Sequence, residues 1–313
     1  MRFFVFTQLF CFLAFLATGC GESPATLPTT REQLVKMRAD FHTQLLRKDS
    51  DPGRPPIPPK ALLRLVPFPA KVGNLWAYVS PDPGDNRKHP AIIWIFGGFS
   101  NGIGEPAWED GPADNDQSAS AFRKAGICMM YPSRRGAEGN PGFKEGLFGE
   151  VDDVVSAMDF LRQLPWIDKD RIYLGGHSTG GTLALLVAEV DNRFRSVFAF
   201  GAVHTTIGYG ADALPFNVED RKEAIMRAPL AFLSTIENPV FAIEGTQGNH
   251  QSLVLMKKYN KNPKVQFLSV EGSNHFRLLR PCCELLAKKI MADGASSSGI
   301  TLTEEELVKA VGQ

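Results

Sequence analysis

Short unbroken apolar runs alternate with amphipathic stretches of helical period from about residue 62 onward. Residues 62–67 and 75–79 read as opening strands joined to the rest by a Pro-rich turn at 81–90. The runs at 91–96, 127–131, 172–174 and 240–243 are apolar throughout and those at 196–201 and 265–270 mostly so, as expected of strands buried on both faces. Between them lie helical stretches at 117–125, 152–164, 182–189, 251–259 and 277–291. In the second of these Val154, Val155, Met158, Phe160 and Leu161 surround the inward face. A last helix at 303–311 carries Thr303 with Glu306 three residues on, a capping-box spacing. Strands alternating with helices predict an α/β fold: a mostly parallel central sheet with helices on both faces. Residues 204–237 break the rhythm and are too many for a simple connection, so a small helical insertion serving as a lid is expected there.

Ahead of the first strand, Leu34, Met37, Phe41 and Leu45 recur at helical spacing and predict a helix over 31–48. Residues 51–60 hold five prolines, which makes them an extended connection. The first residues read as an export signal, with Arg2 followed by an apolar stretch over 3–16. It ends in Leu16-Ala-Thr-Gly-Cys20, similar to the bacterial lipobox, in which small residues precede the cysteine that is lipidated after cleavage. An ordinary signal peptide with an incidental cysteine is the alternative. The expected division is a signal at 1–19, an anchored tether, helix and Pro-rich connection at 20–60, the main domain at 61–295 and a tail at 296–313. The expected location is the bacterial cell envelope, with the membrane reached through Cys20. Cys128 reads as a buried small hydrophobe. For Cys282 and Cys283 a vicinal disulfide and a pairing with Cys128 both stay open.

Charge and motif spacing narrow the chemistry. Lys plus Arg and Asp plus Glu number 34 each, so no basic excess points to nucleic acid. No His/Asp/Glu group shows metal-ligand spacing, and no phosphate-cradling or dinucleotide fingerprint is present, so neither metal nor cofactor is expected. One stretch carries chemistry directly. Arg171-Ile-Tyr-Leu-Gly-Gly-His-Ser178-Thr-Gly-Gly181 sets a G-x-S-x-G pentapeptide between a strand-like and a helix-like run. That is the context of a nucleophile elbow, where Gly176 and Gly180 allow close backbone approach and Ser178 is presented at a helix N-terminus.

Further motifs follow in order: Ile95-Phe-Gly-Gly-Phe99, Tyr131-Pro-Ser-Arg-Arg-Gly136, Asp152-Asp-Val-Val, Pro239-Val-Phe-Ala-Ile-Glu-Gly245 and Gly272-Ser-Asn-His275-Phe. Together with the elbow they resemble the α/β-hydrolase fold, and within it the catalytic domains of prolyl-oligopeptidase-like serine hydrolases. The resemblance implies that Ser178 attacks an ester or amide carbonyl to form an acyl-enzyme, with His275 as general base. Backbone N–H groups of Thr179 and of Gly98 or Phe99 would form the oxyanion hole. His177 reads as an elbow spacer, and a small ester or peptide as substrate.

Two positions depart from the pattern. Phe96 stands where prolyl oligopeptidases carry a tyrosine whose hydroxyl aids the oxyanion hole. Gly248 stands where relatives place the catalytic aspartate, three residues after Gly245. Glu244 at the strand end could supply the acid, or Asn249 could orient the imidazole without a charge; Asp212 and Glu237 in the insertion are weaker options. The alternative from another class is a non-catalytic binding protein that kept the fold after losing its acid.

Overall fold

The computed structural model describes residues 27–294 and 299–312. The signal segment and Cys20 lie outside the described residues. Eight strands form one sheet: β1 (Arg64–Ala70), β2 (Gly73–Val79), β3 (His89–Ile95), β4 (Cys128–Pro132), β5 (Ile167–His177), β6 (Val197–Phe200), β7 (Val240–Gly245) and β8 (Val265–Val270). Their spatial order is β1-β2-β4-β3-β5-β6-β7-β8. β1 and β2 are an antiparallel hairpin that meets β4 antiparallel. From β4 through β8 all pairings are parallel. Pro67 and Pro69 sit on β1, the edge strand, where a missing N–H is tolerated.

The pleat sorts the core into two layers. On β3, Ala91, Ile93 and Ile95 face one layer while Ile92 and Trp94 face the other. The first layer is closed by helices at Gly149–Leu161, Thr179–Ala188 and His250–Tyr259, and the second by helices at Ser120–Lys124, Leu279–Ala292 and Glu304–Val311. With the N-terminal helix Arg31–Ala39 as α1 and two short helices at Arg221–Ile225 and Pro229–Phe232, these are α1 to α9 in chain order. Thr303 and Glu306 form the expected capping box on α9. Cys128, Cys282 and Cys283 are free and buried. No helix among the described residues is long and apolar enough to cross a membrane.

Three boundaries differ from expectation. The N-terminal helix stops at Ala39 instead of running to residue 48. Beyond it the backbone pairs with the insertion: Leu45 bridges Phe216, and the N–H of Leu46 donates to Pro215 O at 2.7 Å. Tertiary pairing there overrides helical periodicity. β5 starts five residues before its apolar core, so its first half is a half-exposed strand without an apolar run. The helix expected from residue 117 begins only at Ser120, because the Asp116 carboxylate accepts from Ser118 and Ser120 and holds the preceding turn. This leaves Gln117 free to face the site.

The insertion consists of short helical turns clamped from below by Arg227. That side chain is fully buried, pairs with Glu223, donates to Glu145 O at 2.8 Å and to Thr43 Oγ1 at 2.6 Å, and stacks over Phe216. Arg227→Ala would leave the buried Glu223 carboxylate uncompensated and should cost about 3–5 kcal/mol. Denaturant unfolding of the two proteins measures the difference.

Candidate active site

Ser178 follows β5 and stands at the N-cap of α4 (Thr179–Ala188), at φ 58° and ψ −117°. A non-glycine residue holds such a conformation only when its surroundings fix it. Here the Ser178 N–H donates to Phe200 O at 2.8 Å, so the sheet holds the turn to its last residue. Glycines are needed around it for close approach. A Cβ at Gly176 would lie 2.5 Å from Gly180 O, and one at Gly180 would lie 2.3 Å from Ile95 O. Thr179 begins the helix, so its N–H has no intrahelical acceptor, and its hydroxyl donates to Gly98 O across the turn. The elbow and the loop holding Gly98 and Phe99 are thereby tied together. Gly98 sits at φ 87°.

His275 lies in the loop after β8, with Nδ1 2.8 Å from Glu244 Oε2. Glu244 is one of the most buried carboxylates of the chain, at 1% exposure. Its remaining capacity is met by backbone donors: the Gly245 N–H to Oε1 at 2.7 Å and the Asn249 N–H to Oε2 at 3.0 Å. Gly248 now has a reason to be glycine. A Cβ there would stand 2.5 Å from Glu244 Oε1, so the carboxylate fills the space that a side chain at 248 would need. Gly201, at the end of β6, is constrained in the same way, since its Cβ would lie 2.3 Å from His275 Cε1.

Asn249 does not orient the imidazole. Its Nδ2 donates to Gly201 O at 2.9 Å, which clips the end of β6 to the loop after β7. Of the two residues considered for orienting His275, the structure brings only Glu244 to the ring. Glu237 lies away from it, bonded to Arg31 and Asn192. Ser178 Oγ and His275 Nε2 share no hydrogen bond in the structure. Catalytic hydrogen bonds of this kind tighten in the substrate complex.

Several site residues had no clear signal in the sequence. His177 is buried and spans two groups, Nδ1 2.9 Å from Gln117 Oε1 and Nε2 2.9 Å from His275 O. Tyr209 of the insertion shares a 2.8 Å hydrogen bond with Thr182 Oγ1, on the first turn of α4, and its ring meets Phe99 edge-on at 5.4 Å. Phe96 stacks on Tyr131. Among the described residues no group of three or more His, Cys, Asp or Glu is placed to hold a metal ion.

The sequence from 116 to 276, just over half of the chain, matches the prolyl oligopeptidase family. The chain belongs to that family. It carries the α/β-hydrolase catalytic domain of S9-type serine peptidases. The dipeptidyl-peptidase 5 of Porphyromonas gingivalis is 27% identical over 219 residues, 66% of this chain and 29% of that protein. Among solved structures, a puromycin-hydrolysing peptidase of Mycobacterium tuberculosis matches at a TM-score of 0.57 and 18% identity, over 74% of this chain and 39% of the other. A hyperthermophilic esterase from Pyrobaculum calidifontis matches at 0.53 and 15% identity, over 84% and 90%. The chain spans less than half the length of the curated family relatives it matches.

Burial, and then repulsion from His275, pushes the His177 imidazole down from its ordinary 6.5 to about 3. Between those limits the unfolded chain binds a proton that the folded protein refuses, so this contribution to stability is complete above pH 6.5 and is lost as pH falls toward 3. His177→Gln should flatten that slope. Unfolding free energies of both proteins at about pH 7 and about pH 4.5 give the comparison.

Proposed function

We propose that this protein is a serine hydrolase that cleaves an ester or amide bond through an acyl-enzyme on Ser178. His275 takes the hydroxyl proton as Ser178 attacks the carbonyl and returns it to the leaving group. Glu244 holds the imidazole in the tautomer with Nδ1–H and stabilises the imidazolium that forms. The N–H of Thr179, with that of Gly98 or Phe99, faces the developing oxyanion, and the positive end of the α4 dipole adds to it. The observation that carries this reading is the 2.8 Å contact between His275 Nδ1 and the buried Glu244 carboxylate. It supplies an acid where the usual position holds Gly248. The reading as a non-catalytic binding protein draws its support from that missing aspartate, and the same contact weighs against it.

The family and the dipeptidyl-peptidase relative favour an amide or ester of a short peptide as substrate. The insertion acts as the lid in this reading, since Tyr209 already reaches α4 and Phe99. The apolar stretch over 3–16 and the run ending in Cys20 support export to the bacterial cell envelope and anchoring by lipid.

Fluorophosphonate labelling tests the nucleophile. Peptide mapping should place one adduct on Ser178 and none on Ser178→Ala; a folded wild-type protein that takes no label over long incubation would defeat the proposal. The acid is tested separately by crowding it. Gly248→Ala should push the Glu244 carboxylate off His275 and lower kcat for an activated ester by about 100-fold or more, with far-ultraviolet circular dichroism unchanged.

A further inference from the structure

The residue before the nucleophile joins three parts of the site. His177 lies at the end of β5, so its backbone belongs to the elbow. Its ring lies against the oxyanion loop, where a Cβ added at Gly97 would stand 3.2 Å from His177 Nδ1. Its Nε2 is 2.9 Å from the carbonyl oxygen of His275, and the two imidazole rings are 4.4 Å apart. Phe276 closes the group edge-on, 5.4 Å from His177 and 4.9 Å from His275.

A neutral imidazole has one donor and one acceptor. A backbone carbonyl only accepts, so the Nε2 proton points to His275 O, while Nδ1 lies 2.9 Å from Gln117 Oε1 and the Gln117 amide nitrogen donates to Asn115 Oδ1. Gln117 is itself fixed, because Trp94 Nε1 donates to its backbone oxygen at 2.9 Å. A continuous line of contacts therefore runs from β3 through Gln117 and His177 to the backbone of the general base. Other polar contacts of the 271–277 loop fall on the neighbours of His275: the Gly272 N–H donates to Thr246 Oγ1, the Gln247 N–H donates to Ser273 O, and Asn274 Oδ1 accepts from the N–H groups of Phe276 and Arg277. The His275 side chain is held by Glu244 and its main chain by His177.

We propose that His177 is a positioning residue for the general base, locking the His275 backbone to the nucleophile elbow so that the imidazole keeps its place between Glu244 and Ser178. It touches no reacting atom. The inference rests on the serine-hydrolase reading of the site. Losing the lock lets the base shift by a fraction of its contact distance, and misplacement of about 1 Å costs about 100-fold in rate. The loss falls on kcat, because nothing that binds substrate has changed.

The test compares wild type, His177→Leu and His177→Gln in steady-state hydrolysis of an activated ester and in the rate of fluorophosphonate labelling. His177→Leu removes the donor and should lower kcat and the labelling rate by about 100-fold, with KM within about twofold. His177→Gln keeps an amide donor at similar reach and should recover at least about tenfold of that loss. Wild-type kcat in a folded leucine variant, or equal losses in both variants, would overturn the proposal. Should the leucine variant not fold, Gln117→Leu replaces it: a several-fold fall in kcat supports the line of contacts, and an unchanged kcat rejects it. A wild-type protein that neither labels nor turns over refutes the serine-hydrolase reading itself, so the two failures are told apart.

Discussion

A carboxylate removed from water must find hydrogen-bond donors or stay protonated, and the arrangement around Glu244 follows from that constraint. Two main-chain N–H groups and the His275 ring surround its oxygens. Satisfying them requires the chain to turn tightly after Gly245, to have no side chain at 248, and to bring the loop after β8 back over the end of β7. Gly245 is held to the same demand, since a Cβ there would lie 2.4 Å from Ser273 O. The end of the parallel sheet then becomes a place where backbone donors, a buried anion and an imidazole meet. In the proposed mechanism this acid on the strand end orients the imidazole, because what matters is where the oxygen sits relative to Nδ1.

The same end of the sheet is braced from outside. The N-terminal residues 43–46 run along the insertion, and Arg227 beneath them joins Thr43, Glu223 and Glu145. Another buried arginine, Arg135, holds the loop after β4 to α3 (Gly149–Leu161) through Asp153. Such pairs add little net stability over apolar packing, but breaking one is costly, and they fix which loops lie next to which. Loops so fixed can hold Ser178 in a conformation that its own sequence disfavours.

Much of this was legible in the sequence. The buried strands wrote themselves as apolar runs because both their faces are covered, and the elbow showed as Gly176 and Gly180, where a Cβ would strike the backbone. His275 followed from its place after the last strand. The acid was only half legible: Glu244 and Asn249 stood as alternatives, and the choice depended on which side chain turns inward, a fact of the β7 pleat and the following turn. His177 read as a spacer because its value lies in a contact with a carbonyl 98 residues away. The N-terminal helix was overextended because Phe41 and Leu45 keep helical spacing while Phe41 packs on Phe148 and Leu45 bridges Phe216 of the insertion.

The measurement that bears most directly on this account is the turnover of two variants on one activated ester. Glu244→Ala should lose about ten-thousandfold in kcat, the cost expected when the acid of a triad is removed. Adding Gly248→Asp to that chain places a carboxylate where relatives carry theirs, in the space that Glu244 has left, and should restore at least tenfold of the loss. Wild-type turnover in a folded Glu244→Ala protein would contradict the account.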